Sequence, residues 1–211
     1  MFAMKRFLTL AVALLWALTS LAQTPEEIVS RMDDYMSQKQ NSGFYMVLDM
    51  KIPIVGNITS KNWSLGEKIR MESEIKGKDV IIWMDENTEW TYTRADAKVE
   101  IKPRTVKSGA SSGSDESEML KGITEGYDVS FSKETPDAWY ILCKKSRTNK
   151  KKDDPKQMEL VVRKADYSPQ SLSAKMSGVT VNLRDLSYDV SESDVTFNPA
   201  DYPGVTIDDK R

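Results

Sequence analysis

The chain has 211 residues, with 30 Lys and Arg against 32 Asp and Glu, a formal net charge of −2, 39% apolar residues and one Cys. A near-neutral, slightly acidic balance supplies no long-range field for drawing in a polyanion, which argues against nucleic acid as a partner. The absence of His removes Ser-His-Asp triads, Cys-His pairs, imidazole metal ligands and the usual general base near neutral pH.

Lys5 and Arg6 precede an apolar run over 7–16 that ends in Ser20-Leu21-Ala22. This pattern reads as a secretory signal peptide, 1–22, cleaved before Gln23. A retained anchor is the alternative, but the run falls short of the roughly 20 apolar residues a span needs. The rest, 23–211, reads as a single domain. With Cys143 alone, an exported chain must be held by its core without an internal disulfide. Cys143 lies in Trp139-Tyr140-Ile141-Leu142-Cys143, a strand-like run without a His partner, and reads as core cysteine rather than nucleophile.

Thr24 and Glu27 have the spacing of a capping box, and Pro25 falls at the first helical position, so a helix is predicted from Thr24. Ile28, Met32 and Met36 recur at intervals of four beside Val29 and Tyr35, while Glu26, Arg31, Asp33 and Asp34 form the other face. Asn41-Ser42-Gly43 ends it. Its polar face is not basic, which favours packing on a core over lying on a membrane.

After Gly43 the period becomes two. Phe44, Met46, Leu48, Met50, Ile52 and Ile54 alternate with Tyr45, Val47, Asp49, Lys51 and Pro53, predicting one long strand over 44–54 with a continuous apolar face. Further strands are predicted near 57–64, 67–76, 79–84, 89–94, 97–102, 126–132, 138–145, 157–164, 170–176, 179–189 and 195–197, with turn residues at the joints. About eleven antiparallel strands in meander order, with an N-terminal helix, point to one curled sheet or barrel, because a flat sheet that wide leaves long edges and an uncovered apolar face.

Two stretches interrupt the strands. Residues 107–114 are rich in Gly and Ser and run into Asp115-Glu116-Ser117-Glu118-Met119-Leu120, a short helix candidate with acidic residues at its positive end. Residues 144–152 carry six Lys and Arg. Lys150, Lys151 and Lys152 there form either a solvated hairpin tip or a docking patch.

Chemistry is thin. Asp33-Asp34, Asp153-Asp154 and Asp208-Asp209 sit in polar sequence and read as solvated carboxylates, and the Gly-Ser stretch lacks the Gly-Lys-Ser/Thr of a phosphate loop. No catalytic residue, metal or cofactor is expected. Met is abundant on the apolar phases, and Met adapts to varied apolar partners. A curled sheet with such a face suits a lipid-sized cavity. Phe44, Met46, Leu48, Met50 and Ile52 would line it with Ile69 and Met71, while Met32 and Met36 of the first helix and Met119 and Leu120 of the second would cover it.

The carboxyl end, Val195-Thr196-Phe197-Asn198-Pro199 followed by Pro203-Gly204-Val205-Thr206-Ile207-Asp208-Asp209-Lys210-Arg211, resembles the closing motif of the LolA family of periplasmic lipoprotein carriers. Asp85-Glu86-Asn87-Thr88-Glu89-Trp90-Thr91-Tyr92 is similar to that family's turn and Trp-x-Tyr hairpin, and residues 24–43 resemble its first helix. The resemblance implies a mainly β fold with α, an unclosed antiparallel β-barrel of about eleven strands covered by an N-terminal helix and a short lid helix. It adds Trp90 and Tyr92 to the lipid-binding candidates. It also implies a monomeric carrier in the periplasm of a Gram-negative bacterium. Such a carrier takes acylated lipoproteins from an inner-membrane lipoprotein-releasing transporter and passes them to an outer-membrane acceptor. A sensor or other lipid-binding module on the same shell is the alternative, and a lipid hydrolase or transferase would need a Ser or Thr activated without His.

The family's Trp-x-x-Arg-Pro segment, whose Arg helps hold the lid, has no counterpart in residues 59–70, where Arg70 is the nearest candidate. A carrier fits the physics: an acyl chain in water costs roughly 0.8 kcal/mol per CH₂, so a sixteen-carbon chain costs on the order of 10 kcal/mol. Release then needs only a receiver with a better site.

Overall fold

A computed structural model describes residues 23–39, 41–75, 77–105, 122–176 and 178–211. The leader and the short helix expected around Met119 and Leu120 lie outside the described residues. Helix α1 (Pro25–Lys39) opens on the expected capping box: the Glu27 amide donates to Thr24 Oγ1 and the Thr24 amide to Glu27 Oε2, both at 3.2 Å. The chain turns from the helix into the first strand at Gly43, where φ is +71° and a Cβ would stand 2.7 Å from that of Val190 and 2.9 Å from the Ser64 carbonyl oxygen. Only glycine fits there.

The strands are β1 (Phe44–Ile52), β2 (Gly56–Leu65), β3 (Lys68–Ile75), β4 (Lys78–Met84), β5 (Thr88–Thr93) and β6 (Lys98–Pro103), then β7 (Tyr127–Glu134), β8 (Ala138–Lys145), β9 (Gln157–Arg163), β10 (Pro169–Met176), β11 (Val179–Ser187) and β12 (Thr206–Asp209). They form one unclosed sheet in the order β12-β6-β5-β4-β3-β2-β1-β11-β10-β9-β8-β7.

Among the described residues there are twelve strands, in keeping with the expected count of about eleven; Thr206–Asp209, not read as a strand in the sequence, pairs in parallel with β6, braced by Lys98 to Asp208 and Lys210 to Glu100, each at 2.6 Å. Three sequence expectations are corrected. No strand forms at 195–197: Val195 ends a short helix, α2 (Glu192–Val195), and Thr196 and Phe197 follow it without regular structure; the helix is nucleated by a second capping box in which the Ser191 amide donates to Asp194 Oδ2 at 2.8 Å. The order is not a single meander either: β6 and β7 are not neighbours, and β1 pairs with β11, dividing the sheet into an arm β2–β6 and an arm β7–β11. The first strand stops at Ile52, with residues 53–55 forming the hairpin tip.

The two arms bury opposite faces. Against the β7–β11 arm and β1, helix α1 packs Ile28, Val29, Met32 and Met36 onto Phe44, Met46, Ile141, Leu160, Val162 and Leu183. Each such side chain stabilises the fold by roughly 1.5–3 kcal/mol relative to exposure. On the other face of the β2–β6 arm lies the chain from α2 onward, with Phe197 5.2 Å from Trp83 and Tyr202 4.8 Å from Tyr92, ring centre to ring centre. Val99 on β6 and Val195 on α2 are fully buried.

Candidate functional site: the uncovered half of the inner face

Residues directly opposite one another in paired strands share a face. The face that α1 covers on one arm therefore continues across β2, β3 and β4 on the other. Leu48 lies opposite Ser60 and Leu183, Met50 opposite Ile58, Asn62 opposite Met71, Met71 opposite Ile82, and Ile69 opposite Met84. Leu48, Met50, Ile58, Met71, Ile82 and Met84 are half-buried, so an apolar strip extends past the helix and stays partly open.

Of the expected cavity residues, Met32, Met36, Phe44 and Met46 are buried in the seam between α1 and the sheet, and Ile69 is buried too. Leu48, Met50, Ile52 and Met71 are half-buried on the inner face. Trp90 and Tyr92 are not brought together with them. Trp90 lies opposite Trp83 and Ile101, and Tyr92 opposite Ile81 and Val99, on the face covered by Phe197 and Tyr202. The hairpin motif was legible, but its phase was not, since β4 carries large apolar residues on both phases. Met119 and Leu120 fall outside the described residues. Lys150, Lys151 and Lys152 are exposed in the loop between β8 and β9.

Sequence reasoning missed a polar belt on β2. Ser60, Asn62 and Ser64 are buried on the inner face between the helix-covered seam and the open strip. Asn62 Nδ2 donates to the Ser60 carbonyl and Ser60 Oγ to Asn62 Oδ1, each at 3.2 Å, and Ser64 Oγ donates to the Phe44 carbonyl at 3.4 Å. The alternation Ile58, Ser60, Asn62, Ser64 was the available signal, and small polar residues do not register as a buried face.

On the outer face of β1, Arg184 Nε donates to Asp49 Oδ2 and Thr59 Oγ1 to Asp49 Oδ1, both at 2.6 Å, and these bonds hold the carboxyl below its ordinary range. Arg70 also points away from the strip. It lies between the Trp63 and Trp83 rings, pairs with Glu72 and reaches the Asp194 carbonyl. In the seam, the Tyr188 hydroxyl is buried without a hydrogen-bond partner among the described residues, and burial pushes its ionisation well above the ordinary phenol range. Among the described residues no group of three or more His, Cys, Asp or Glu is placed to hold a metal ion.

These features define an open antiparallel half-barrel that holds a helix in one half of its hollow and leaves an apolar strip in the other. No family model and no curated protein matches the chain. Among solved structures it is similar to an uncharacterized conserved protein from Thermus thermophilus, with 14% identity, 88% of this chain and 98% of the other covered, and a TM-score of 0.44. It is also similar to a LolA superfamily protein from Nitrosomonas europaea, with 12% identity, 83% and 99% covered and a TM-score of 0.32. LprF from Mycobacterium bovis is a third, with 8% identity, 78% and 94% covered and a TM-score of 0.47.

Proposed function

We propose that this protein is a periplasmic lipid-binding carrier of the LolA type, which holds the acyl chains of lipoproteins against the open strip and delivers them from the inner to the outer membrane. The observation that carries this reading is the half-buried row Leu48, Met50, Ile58, Met71, Ile82 and Met84, continuous with a helix-covered core yet not itself sealed. A flexible Met-rich strip accepts acyl chains without chemistry. Their transfer out of water supplies the roughly 0.8 kcal/mol per CH₂ that retains them. The resemblance of the carboxyl end and the Trp-x-Tyr hairpin to LolA supports the direction of transport.

A lipid-binding sensor that does not shuttle is the second reading. It is favoured by Arg70, the nearest counterpart of the family's lid arginine, which faces the carboxyl-terminal segment and not the hollow. Mass spectrometry of an organic extract of natively purified protein tests both. Recovered triacyl or diacyl lipopeptide supports the carrier, free phospholipid supports the sensor, and a lipid-free extract from protein that also fails to take up acyl probes rejects both.

A further inference from the structure

The apolar row of β1 does not end inside the protein. It passes from the buried Phe44 and Met46 through the half-buried Leu48, Met50 and Ile52 to the hairpin tip beyond β1, where Ile54 is 108% exposed beside Val55 at 68%. Ile54 holds φ +72°, a backbone state that a β-branched residue rarely adopts and that Asn or Gly would fill with no apolar side chain in water. The adjacent hairpin lies against this tip. A Cβ at Gly178 would be 3.8 Å from Pro53 Cγ, and Met176 beside it is exposed as well.

Cations surround the two tips. Lys51, Thr180 and Lys175 form one row across β1, β11 and β10. Lys152 and Lys156 stand on the far wall of a cleft of about 860 Å³ between the β8–β9 loop and the β10–β11 hairpin. Several lysines elsewhere are engaged: Lys98 with Asp208, Lys102 with Glu89, Lys164 with Glu134 and Lys210 with Glu100. Among the described residues, no carboxylate comes within 4.0 Å of Lys51, Lys152, Lys156 or Lys175. The cleft's carboxylates are Asp153, Asp154 and Glu159; Asp154 is bonded by Asn149 and Glu159 by Ser132. The cleft itself holds three lysines, Lys152, Lys156 and Lys175, against these three carboxylates, and Lys51 on β1 with Lys150 and Lys151 on the β8–β9 loop adds positive charge beside it.

We infer that this end of the half-barrel docks on an anionic phospholipid bilayer, with Ile54 and Val55 entering the interface and the lysine rim contacting headgroups. Short aliphatic side chains at a protruding tip suit a fluid apolar phase, whereas protein interfaces anchor on Trp, Tyr and Arg. Lysine is a mobile point charge suited to headgroups that are not fixed in place, where a protein partner would favour the forked guanidinium. Docking there would set the apolar row of β1 end-on to the acyl layer, giving a chain a continuous track toward the open strip.

The test is co-sedimentation of purified, lipid-stripped protein with phosphatidylglycerol-containing vesicles and with pure phosphatidylcholine vesicles, at low and high salt. Binding is expected on the anionic vesicles only and is screened out by salt. Ile54→Asp combined with Val55→Asp, and separately Lys51→Glu combined with Lys175→Glu, are each expected to lower partitioning about tenfold or more with unchanged thermal unfolding. Equal binding by these variants, equal binding to neutral vesicles, or retention only on membranes containing integral proteins overturns the inference. Cargo does not enter the measurement, so its outcome is separable from that of the organic extract.

Discussion

The Arg70 guanidinium lies over the Trp63 indole, 4.8 Å from its ring centre. The same side chain donates through Nη1 to the Asp194 carbonyl at 3.4 Å, joining β3 to α2 at the start of the carboxyl-terminal segment. Arg70→Ala removes a partly desolvated cation–π contact and this bond, and is expected to destabilise the fold by about 1–3 kcal/mol. Urea unfolding measures the loss, and hydrogen exchange should quicken over 192–205 before it does in α1. Acyl loading at a temperature where the variant is folded should be unchanged. Lost loading with stability intact would instead make Arg70 a gate to the hollow.

The open strip and the outer face of β1 make opposite predictions. Met71→Glu places a carboxylate on a half-buried inner position, where acyl chains would leave it unsolvated at a cost of several kcal/mol or protonated. Because Met71 is not in the sealed seam, the variant should fold and fail to load lipid. Met46, buried under α1, would report unfolding instead. Asp49→Ala removes an exposed pair with Arg184, worth about 0–1 kcal/mol, and should leave loading unchanged. Fluorescent fatty-acid uptake by both variants decides, and equal loading would mean that the strip is not the site.

How far these positions were legible depended on how many faces a strand buries. α1 buries one face, and the inner phase of β1 is wholly apolar although Val47 on its outer phase is buried too, so period four and period two emerged cleanly, and the Thr24–Glu27 box announced the helix. In β4, Val80, Ile82 and Met84 face the strip while Ile81 and Trp83 face the carboxyl-terminal segment, so the run Val80-Ile81-Ile82-Trp83-Met84 has no phase to read. Trp90 and Tyr92 inherit that ambiguity through their pairing with β4. β12 escaped for the opposite reason: Thr206-Ile207-Asp208-Asp209 has no apolar face and is held by a parallel ladder and ion pairs contributed by β6, none of which leaves a local pattern.

Helix α1 is expected to behave as core and not as a lightly held lid. Ile28 and Met32 are 0% and 1% exposed, and the helix is anchored at its start by its capping box and at its end by the Ser42 amide on the Lys39 carbonyl. Met32→Ala should cost about 2–5 kcal/mol, the range for deleting a large side chain from a packed interior. Native-state hydrogen exchange should give α1 amides protection comparable to β8 and β9. Protection far below theirs, with Met32→Ala costing under about 1 kcal/mol, would make the helix a movable cover.

Cys143 supplies a pH-dependent test of the same seam. Its thiol is fully buried among Ile141, Met158 and α1, and burial pushes its ionisation from the ordinary value near 9.0 up to about 11. The native state therefore favours the neutral thiol. This contribution is fully present below the unfolded value and is lost as pH rises from about 9 through about 11, because the unfolded chain ionises first. A two-unit shift corresponds to about 3 kcal/mol at the alkaline limit. Tyrosines and lysines titrate in the same window, so the measurement is the difference between wild type and Cys143→Ala in urea unfolding from pH 8 to 11. Cys143→Ala should start less stable by about 1–2 kcal/mol through lost packing and converge on wild type as pH rises. Parallel curves would show that the thiol titrates alike in both states, and rapid alkylation of the folded protein at pH 8 would show that the seam beneath α1 is open to solvent.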